Sequence, residues 1–197
     1  MKYFISDYHF FHQNIFKYEP IRQQFGEKFI NEMIKRYNSV VTENDVVYMV
    51  GDIFCGFNQM KRAYNLKRIE KEYAKAIMSK LPGKKILIRG NHDRKSDSWY
   101  KDIGFADVQV IEEVDGFLVA HYPICEKYIY DINENYRPYF KEALTLKQKY
   151  NIPVIHGHIH SNKLYGCPNH FNVSCEVLDF TPISIEEIKR RMNESKN

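Results

Sequence analysis

Short apolar segments that end in polar side chains recur along this chain, and they constrain its fold more than any other feature. The segment Val46–Val50 is apolar on both faces, which is typical of a strand covered on both sides. Helical patterns lie between such segments, and strands that alternate with helices indicate an α/β fold. The candidate strands are Tyr3–Ser6, Val46–Val50, Lys85–Arg89, Val108–Val114, Phe117–His121, Val154–His156 and, with the weakest pattern, Phe171–Ser174.

Three helices and one hairpin are predicted around these strands. Apolar residues recur at helical spacing between Phe25 and Tyr37, with charged residues on the other face. A second helix is predicted over Gln59–Lys80, where Leu81-Pro82-Gly83 ends it. A third begins at Ser184, because Ser184 and Glu187 fit a capping box. The pair Asp115-Gly116 indicates a hairpin, so we expect antiparallel pairing besides parallel pairing.

The composition is that of a globular chain, and we expect one domain over residues 1–197. Hydrophobic residues make up 44% and charged residues 27%. No segment approaches the roughly 18 consecutive apolar residues of a membrane span, and the N-terminal apolar stretch is too short for a secretory signal. We therefore expect a cytoplasmic protein without a membrane partner. The net charge of +4 suits an anionic substrate but falls short of the basic stripe that indicates nucleic acid by itself.

The cysteines show no C-x-x-C pairing and lie far apart along the chain. A zinc site or disulfides are the alternatives, but we expect reduced thiols, as in most cytosolic proteins. The four residues are Cys55, Cys125, Cys167 and Cys175.

Carboxylates, imidazoles and one carboxamide follow the carboxyl ends of the predicted strands. In α/β folds these strand ends converge on one crevice. The set suits borderline divalent metals, since imidazole binds Zn, Fe or Ni and carboxylate or amide oxygen binds Mn or Mg. In chain order the motifs are Asp7-Tyr8-His9, Gly51-Asp52, Gly90-Asn91-His92-Asp93, His121 and Gly157-His158-Ile159-His160.

The spacing within these motifs has a physical interpretation. Residues i and i+2 of an extended segment point the same way, so Asp7 and His9 can reach one metal together. By the same rule His158 and His160 can both be presented to a shared site. We expect the glycines of three motifs to let the backbone turn sharply where a ligand approaches closely. They are Gly51, Gly90 and Gly157.

The charge of such a site predicts the kind of ligand it would bind. Two divalent ions with Asp7 and Asp52 leave a net charge of about +2, because neutral imidazoles and Asn91 add nothing. A centre of this charge attracts an anion and acidifies bound water. Phosphate is the anion that fits this description most directly.

The five motifs, in this order, resemble the complete signature of the calcineurin-like metallophosphoesterases. They span residues 7–160, and each follows a predicted strand. A single motif of this kind is common by chance, whereas the ordered set is specific. Further segments resemble a subgroup of small bacterial and phage phosphoesterases, namely Phe10-x-His12-x-Asn14-Ile15, Leu87-Ile88-Arg89, and Asn172-Val173 to Pro182-Ile183-Ser184.

The resemblance implies a fold, a metal centre and catalytic roles. The implied fold is an α/β sandwich of two mixed β-sheets flanked by helices. Two divalent ions are implied, with Mn expected and Ni, Zn, Fe or Mg as alternatives. His92 would face the substrate as proton donor or transition-state stabiliser, with Asp93 orienting it. One ion would take Asp7, His9 and His160, the other would take Asn91, His121 and His158, and Asp52 would bridge the two.

The expected reaction is hydrolysis of a phosphoester by a hydroxide held between the metals, attacking phosphorus in line. We favour a phosphodiester, either a small nucleotide or a short single strand of nucleic acid. The segment Pro123–Tyr150 is aromatic and partly basic, and it could form one wall that stacks a base. Its relevant residues are Tyr128, Tyr130, Tyr136, Arg137 and Tyr139.

Other functions and other roles for these residues remain as alternatives. A nuclease or a phosphomonoesterase would use the same site, whereas an inactive adaptor would be expected to lack metal ligands. A structural zinc module needs thiolates at a spacing that this chain does not offer. His12, His156 and His170 are expected to be structural or to support the ligands. Candidate substrate contacts, chosen for proximity to the motifs or to the aromatic segment, are Arg89, Arg94, Arg137 and Lys163, with solvated surface charge as the alternative.

Overall fold

Two mixed β-sheets stack face to face, and helices cover their outer faces. The computed structural model describes residues 1–56, 70–164 and 166–194. The strands in this part of the chain are β1 (Lys2–Ile5), β2 (Val46–Met49), β3 (Lys84–Ile88), β4 (Asp107–Gln109), β5 (Ile111–Val114), β6 (Phe117–Ala120), β7 (Val154–His156), β8 (His170–Asn172) and β9 (Ile183–Ser184).

The strand order places the first half of the chain in one sheet and most of the second half in the other. The first sheet has the order β4-β3-β2-β1-β9, with β1 to β4 parallel and β9 antiparallel to β1. The second sheet has the order β5-β6-β7-β8, in which β5 and β6 are antiparallel and the remaining pairs are parallel. The predicted sandwich of two mixed sheets is confirmed.

Six α-helices lie between or after these strands in the described residues. They are α1 (Ile15–Tyr18), α2 (Phe29–Asn38), α3 (Glu70–Met78), α4 (Asp97–Ile103), α5 (Arg137–Tyr150) and α6 (Ile185–Glu194), and 3₁₀ turns span Pro20–Lys28, Glu126–Tyr128 and Cys175–Leu178. None of the described helices has both the length and the apolar character needed to cross a membrane.

The predicted helices differ from the observed ones in their bounds. The helical pattern that begins at Phe25 is interrupted at Gly26, whose φ of 48° kinks the 3₁₀ segment Pro20–Lys28 before α2 starts. Of the helix predicted over Gln59–Lys80, the part in α3 is confirmed, and residues 57–69 lie outside the described chain. The start at Ser184 is also confirmed, because its Oγ accepts a hydrogen bond of 3.2 Å from the Glu187 amide.

Three of the described helices, α1, α4 and α5, were not predicted from the sequence, although α4 and α5 carry recognisable end signals. Ser96 caps α4 by accepting a hydrogen bond from the Trp99 amide, and Gly104 ends that helix with a φ of 119°. The helix α5 has a proline in its first turn and ends at Asn151 in the left-handed conformation. These end signals are local and short, and the prediction depended on longer hydrophobic patterns.

The single strand predicted over Val108–Val114 is divided between the two sheets. Val108 pairs with Leu87 in the first sheet, whereas Ile111 pairs with Ala120 in the second. The chain crosses from one sheet to the other at Val110, and no glycine or proline between Val108 and Val114 marks the crossing. The predicted hairpin is confirmed, since Asp115 and Gly116 both have positive φ between β5 and β6.

Three hydrophobic clusters fill the spaces on either side of the sheets. The first lies between the first sheet and helices α2, α3 and α4. The second lies between the two sheets and includes residues of α6, and the third lies under α5. Leu87 belongs to the first cluster and Ile88 to the second, and both are fully buried. Strand β3 is therefore covered on both faces, as alternation of side chains along a strand requires.

The expectation of four reduced thiols is wrong for one pair of cysteines. Cys125 and Cys167 form a disulfide, with Cα atoms 6.1 Å apart and a sequence separation of 42 residues. Tertiary folding brings the segment after β6 and the loop before β8 together, and the sequence spacing does not reveal that contact. Cys55 and Cys175 are free, as predicted.

Substitutions in β3 test whether this strand is covered on both faces. We expect Leu87→Ala and Ile88→Ala each to lower the free energy of unfolding by about 2–5 kcal/mol, since each leaves a cavity in a different cluster. Ile21→Ala is the control, because Ile21 is 49% exposed and should cost less than about 0.5 kcal/mol. Urea unfolding measures all three. A small effect at either β3 position would mean that one face of the strand is open.

Candidate metal centre

The predicted metal ligands converge where the strands of both sheets end. The first sheet contributes Asp7 after β1, Asp52 after β2 and Asn91 after β3. The second sheet contributes His121 after β6, and the loop after β7 carries His158 and His160. These strand ends meet because the two sheets stack with their ligand-bearing ends on the same side of the molecule. The resulting cluster includes all seven predicted ligands, His9 among them.

The first predicted set of ligands is brought together around Asp7. The distance from His9 Nε2 to Asp7 Oδ1 is 3.8 Å, and the distance from His160 Nε2 to the same oxygen is 3.9 Å. One ligand atom of each of the three residues lies within 4.8 Å of the others. These spacings suit donor atoms that surround one ion at about 2.0–2.2 Å.

The second predicted set surrounds Asn91, and Asp52 lies between the sets. The Oδ1 atom of Asn91 is 3.1 Å from His121 Nε2 and 3.2 Å from His158 Nδ1. The Oδ2 atom of Asp52 is 3.5 Å from His121 Nε2 and also 3.5 Å from His9 Nε2. One carboxylate oxygen is therefore equally close to a histidine of each set.

Hydrogen bonds occupy one oxygen of each carboxylate and leave the other facing the centre. The Oδ2 atom of Asp7 accepts hydrogen bonds from Ser6 Oγ at 2.6 Å, Ser174 Oγ at 2.9 Å and the His158 amide at 3.0 Å. The Oδ1 atom of Asp52 accepts one from the His92 amide at 2.8 Å. These two oxygens accept from hydroxyl groups and backbone amides, so the other oxygen of each carboxylate is available for a cation.

Two buried polar atoms of the centre have no hydrogen-bond partner in the described structure, namely Asp7 Oδ1 and His9 Nε2. Buried polar atoms are normally paired, because leaving one unpaired costs roughly 1–3 kcal/mol. An acidic oxygen and an imidazole nitrogen that face each other at this spacing are satisfied together by a divalent cation. The donor set of the centre therefore fits a metal.

The ligand-bearing backbone is left-handed rather than extended. The expectation that Asp7 and His9 converge because they lie in an extended segment is wrong in its conformation, although the two side chains do converge. Non-glycine residues rarely adopt positive φ, and such strain is concentrated at functional sites. The ligands with this conformation are Asp7, His9, Asp52, His158 and His160, with φ between 50° and 71°.

The glycines of the motifs allow close approach, and one of them also requires positive φ. A Cβ atom at Gly90 would lie 2.1 Å from Asp52 Oδ1, and one at Gly157 would lie 2.5 Å from Asp7 Oδ2. Gly51 has a φ of +85°, and a Cβ atom there would lie 2.4 Å from His121 Nδ1. The predicted close approach is confirmed at all three positions. The predicted sharp turn is confirmed at Gly51.

The pKa values of the two aspartates are shifted in opposite directions, although burial raises both. Burial raises the pKa of Asp52 to about 7, and the neighbouring charges of Asp93 and Asp7 add to it despite the opposing effect of His121. Burial opposes ionisation of Asp7 as well, but the imidazoles of His121, His160 and His9 and the Ser6 hydrogen bond outweigh it and lower the pKa. The protein alone therefore stabilises one carboxylate charge well and the other poorly.

His92 lies at the edge of the centre, and among the hydrogen bonds of the described residues the Asp93 carboxylate bonds to backbone amides and not to the His92 ring. The His92 side chain is 37% exposed, with Nε2 3.9 Å from Asp52 Oδ2 and Nδ1 3.3 Å from Cys55 Sγ. The Oδ2 atom of Asp93 accepts hydrogen bonds from the amides of Asp52 at 2.7 Å and Gly90 at 2.9 Å. Asp93 thus fixes the backbone of two ligand loops, and the Cys55 thiol contacts the His92 ring.

The remaining predicted histidines lie close to the ligands or behind them. The Nδ1 atom of His12 is 3.3 Å from Nδ1 of His9. His156 is buried, with Nδ1 2.8 Å from the Gly157 carbonyl oxygen, and burial lowers its pKa to about 3. His170 lies beside His156, with ring centroids 5.4 Å apart. These contacts agree with supporting roles.

A cavity of about 980 Å³ opens beside Asn91 and reaches α5. We call it the aromatic cleft, because Tyr122, Tyr136, Tyr139 and Phe140 line it together with Asn91 and Arg94. Two of the tyrosines expected to form a wall, Tyr136 and Tyr139, therefore line this cleft, whereas Tyr130 is 81% exposed.

The four candidate substrate cations have different surroundings. Arg89 also lines the cleft, but its guanidinium pairs with Asp97 and donates to the carbonyl oxygens of Asp93 and Lys95. Arg94 donates through Nε to the Asn91 carbonyl at 2.9 Å and is exposed. Arg137 donates to the Ile132 carbonyl at 3.2 Å, and Lys163 is exposed. Of the four, Arg94 has the position best suited to contact a molecule bound at the centre.

The structure also shows groups around the centre that sequence reasoning missed. Ser6 and Ser174 hold the Asp7 carboxylate, and Cys55 contacts His92. Arg22 and Glu176 form a buried pair behind the first ligand set. None of these residues belongs to a recognisable motif, so their roles depend on contacts between distant segments.

Comparisons with known proteins agree with this geometry. The model of the calcineurin-like phosphoesterase family matches residues 3–172, and the chain belongs to that family. Its members are metal-dependent phosphoric ester hydrolases, which is the class that this fold and this centre define.

Individual relatives extend the similarity over nearly the whole chain. The uncharacterized protein MJ1445 of Methanocaldococcus jannaschii is 29% identical over 202 residues, covering 98% of this chain and 92% of that protein. The crystal structure of AQ665 from Aquifex aeolicus, a protein of unknown function, has 32% identity and a TM-score of 0.66, covering 96% and 98% of the two chains. The nuclease MPE of Pseudomonas putida has 17% identity and a TM-score of 0.47, covering 81% of this chain and 61% of its own.

A glycine substitution tests how closely the ligands pack. Gly51→Ala and Gly116→Ala are matched, because φ is +85° and +84°, but a Cβ atom at Gly116 has no atom within 4 Å. We expect Gly116→Ala to cost about 1–3 kcal/mol from backbone strain alone. Gly51→Ala should cost more and should also weaken Mn²⁺ binding, since the new methyl group displaces His121. Thermal unfolding and calorimetric Mn²⁺ titration measure both effects, and equal results for the two variants would contradict the packing described here.

Proposed function

We propose that this protein is a phosphodiesterase that uses two divalent ions, with Mn²⁺ as the preferred metal. The observation that carries the proposal is the position of Asp52 Oδ2, 3.5 Å from a histidine of each ligand set. An oxygen placed between two sets of donors suits a bridging ligand. In this proposal Asp7, His9 and His160 hold one ion, and Asn91, His121 and His158 hold the other.

The side chains of the centre would arrange charge around the phosphoryl group. When bound, the two ions would supply Lewis acidity toward the phosphoryl oxygens and acidify water. Burial lowers the pKa of His158 to about 3, which keeps that imidazole neutral and able to bind a metal. The unfavourable charge of Asp52, whose pKa is about 7 in the protein alone, would be stabilised by two neighbouring cations.

His92 would act on the substrate rather than on a metal. Burial lowers its pKa to about 4, and the neighbouring charges of His12 and Arg94 add to that effect, so the ring is neutral near pH 7. An anionic phosphoester beside it would raise this pKa and favour the protonated ring. The Cys55 contact at Nδ1 leaves Nε2 toward the centre, where it can donate to the leaving oxygen. General acid catalysis of this kind contributes roughly 10²–10⁴ in rate.

Two histidine substitutions separate substrate contact from metal binding. We expect His92→Ala to keep both metal positions while kcat falls about 10²-fold or more, most with poor leaving groups. His121→Ala should instead weaken one metal position. The pair is informative because His9, Cys55 and His92 also form a group that could hold a cation. If His92→Ala lost metal as His121→Ala does, His92 would be a ligand and not the acid.

The aromatic cleft supports a diester substrate with a ring next to the scissile bond. It begins at Asn91 and ends at the aromatic wall, so a phosphate at the centre would place a neighbouring group against Tyr136 and Tyr139. Stacking of a base on an aromatic side chain contributes roughly 1–3 kcal/mol. Arg94 at the metal end adds one positive charge, which suits a monoanionic diester.

A substrate comparison tests the preference for diesters. We expect kcat/KM to be higher for bis-aryl phosphates, cyclic nucleotides and short RNA than for mono-aryl phosphates or duplex DNA, assayed with Mn, Ni, Zn, Fe and Mg. A clear preference for monoesters would favour a phosphomonoesterase, and efficient cleavage of duplex DNA would favour a nuclease. Either result would overturn the proposed substrate class while leaving the metal centre in place.

A tyrosine pair on α5 tests the cleft itself. Tyr139 and Tyr150 lie on the same helix and are 58% and 60% exposed, but of these two it is Tyr139 that lines the cleft. We expect Tyr139→Ala to raise KM for a nucleotide diester about 5-fold or more, given the stacking energy above. Tyr150→Ala should leave KM within error. Equal effects of the two variants on KM would show that the cleft does not bind the substrate.

A further inference from the structure

A buried ion pair lies directly behind the first ligand set. Arg22 has no exposed surface, and the Glu176 side chain is 1% exposed. The Nε atom of Arg22 donates to Glu176 Oε1 at 2.8 Å, and Nη2 pairs with the same oxygen. A charge pair in this environment is costly to desolvate, so a specific function is a better explanation for it than a general contribution to stability.

Glu176 connects this pair to a predicted metal ligand. The distance between His160 Nδ1 and Glu176 Oε1 is 2.9 Å, so the imidazole donates to the carboxylate. In the neutral ring, the tautomer that donates through Nδ1 has Nε2 free to bind a cation, and Nε2 lies 3.9 Å from Asp7 Oδ1. A carboxylate behind a histidine fixes the tautomer and the ring orientation and makes the ligand nitrogen more basic.

Arg22 connects the same pair to the loop that carries the other two ligands. Its Nη1 atom donates to the Tyr8 carbonyl at 2.8 Å, and Nη2 donates to the Asp7 carbonyl at 2.5 Å. These carbonyls lie between two residues with positive φ, Asp7 and His9. The guanidinium therefore donates two hydrogen bonds to the backbone of a strained loop, and it also pairs with the Glu176 carboxylate.

The second ligand set is supported differently in the described residues. The Nδ1 atom of His121 lies 2.9 Å from the Val50 carbonyl oxygen, which is a neutral acceptor. His158 Nδ1 is 3.2 Å from Asn91 Oδ1, which belongs to the same ligand set. Neither ring has a carboxylate contact outside the centre among the hydrogen bonds of the described residues. The two metal positions thus differ in the charge that supports their histidines.

We propose that Arg22 and Glu176 are a positioning pair that strengthens the metal position formed by Asp7, His9 and His160 selectively over the other. This inference rests on the proposed metal binding, but it does not depend on the substrate class. One ion pair thus fixes both the orientation of the His160 ring and the backbone between Asp7 and His9. Loss of the Glu176 charge should therefore weaken one metal position and leave the other unchanged.

Metal titration of matched variants tests the positioning pair. Glu176→Gln keeps the shape of the side chain and removes its charge. Glu187→Gln is the control, because Glu187 pairs with Arg190 and Arg191 on α6 and makes no contact with a ligand in the described structure. Calorimetric Mn²⁺ titration of the full chain, with electron paramagnetic resonance of bound Mn²⁺, should show one position weakened about 10–100-fold in Glu176→Gln. The other position should change less than about 2-fold, and Glu187→Gln should bind as the wild type does.

A second variant addresses the cost of leaving Arg22 unpaired. The double variant Arg22→Met/Glu176→Gln removes both charges and leaves no buried unpaired ion, so it keeps the test valid if the single variant fails to fold. It should show the same selective loss of one position. Thermal unfolding of the metal-free variants separates a positioning role of the pair from a merely structural role. If both positions weaken equally and in proportion to the loss of metal-free stability, the pair is merely structural and the inference is overturned.

Other outcomes distinguish this inference from the proposed function. If the wild type binds one ion and Glu176→Gln weakens it, the two-ion proposal fails while the positioning pair stands. If the wild type binds two ions and Glu176→Gln binds both normally, the positioning pair fails while the two-ion proposal stands. Glu19, His160 and Glu176 could also hold a cation by themselves. Loss of a third ion, with the first two unchanged, would likewise overturn the inference.

Discussion

The carboxylate of Asp7 joins the two sheets, and the geometry of the centre depends on it. Its Oδ2 atom accepts hydrogen bonds from Ser6 at the end of β1 and from Ser174 and the His158 amide, which follow strands of the second sheet. The side chain is completely buried, so this junction is shielded from water and its hydrogen bonds are strong. Because those contacts occupy one oxygen, the other is directed into the space between the histidines. Sheet packing and ligand placement are therefore two consequences of one interaction.

Without a bound cation the centre lowers the stability of the folded chain, and the features that lower stability are those that favour cation binding. Two carboxylates are buried close to each other, five of the predicted ligands have left-handed backbone, and two buried polar atoms lack a hydrogen-bond partner in the described structure. Each strained residue costs of order 1–3 kcal/mol, and the surrounding structure must offset that cost. The sheets, the close-packed glycines and the Arg22–Glu176 pair supply this support. A divalent cation would relieve the charge repulsion and satisfy the unpaired atoms, while the rigid frame keeps the ligands ready for it.

The sequence predicted the sandwich and the convergence of the candidate ligands because both depend on repeated local patterns. Apolar strands followed by polar residues indicated the sheets, and the strand ends placed Asp52 and Asn91 in one crevice. Features that depend on contacts between distant segments were not predicted, such as Arg22 with Glu176, which are 154 residues apart, and the disulfide of Cys125 and Cys167. No glycine or proline marks the change of sheet at Val110, so the segment was predicted as one strand. The family resemblance supplied the role of Asp93, and the structure directs that carboxylate to backbone amides instead.

The central claim is that Asp52 is shared by two metal positions, and counting bound ions tests it most directly. Metal-free protein should be loaded with Mn²⁺, and bound ions should be counted by native mass spectrometry alongside calorimetric titration of the wild type and Asp52→Asn. We expect two ions per wild-type chain and a loss of affinity at both positions in Asp52→Asn, because one oxygen lies 3.5 Å from a histidine of each set. A fully active wild type that binds a single ion at saturation, or an Asp52→Asn variant that loses one ion and keeps the other at full affinity, would contradict this claim.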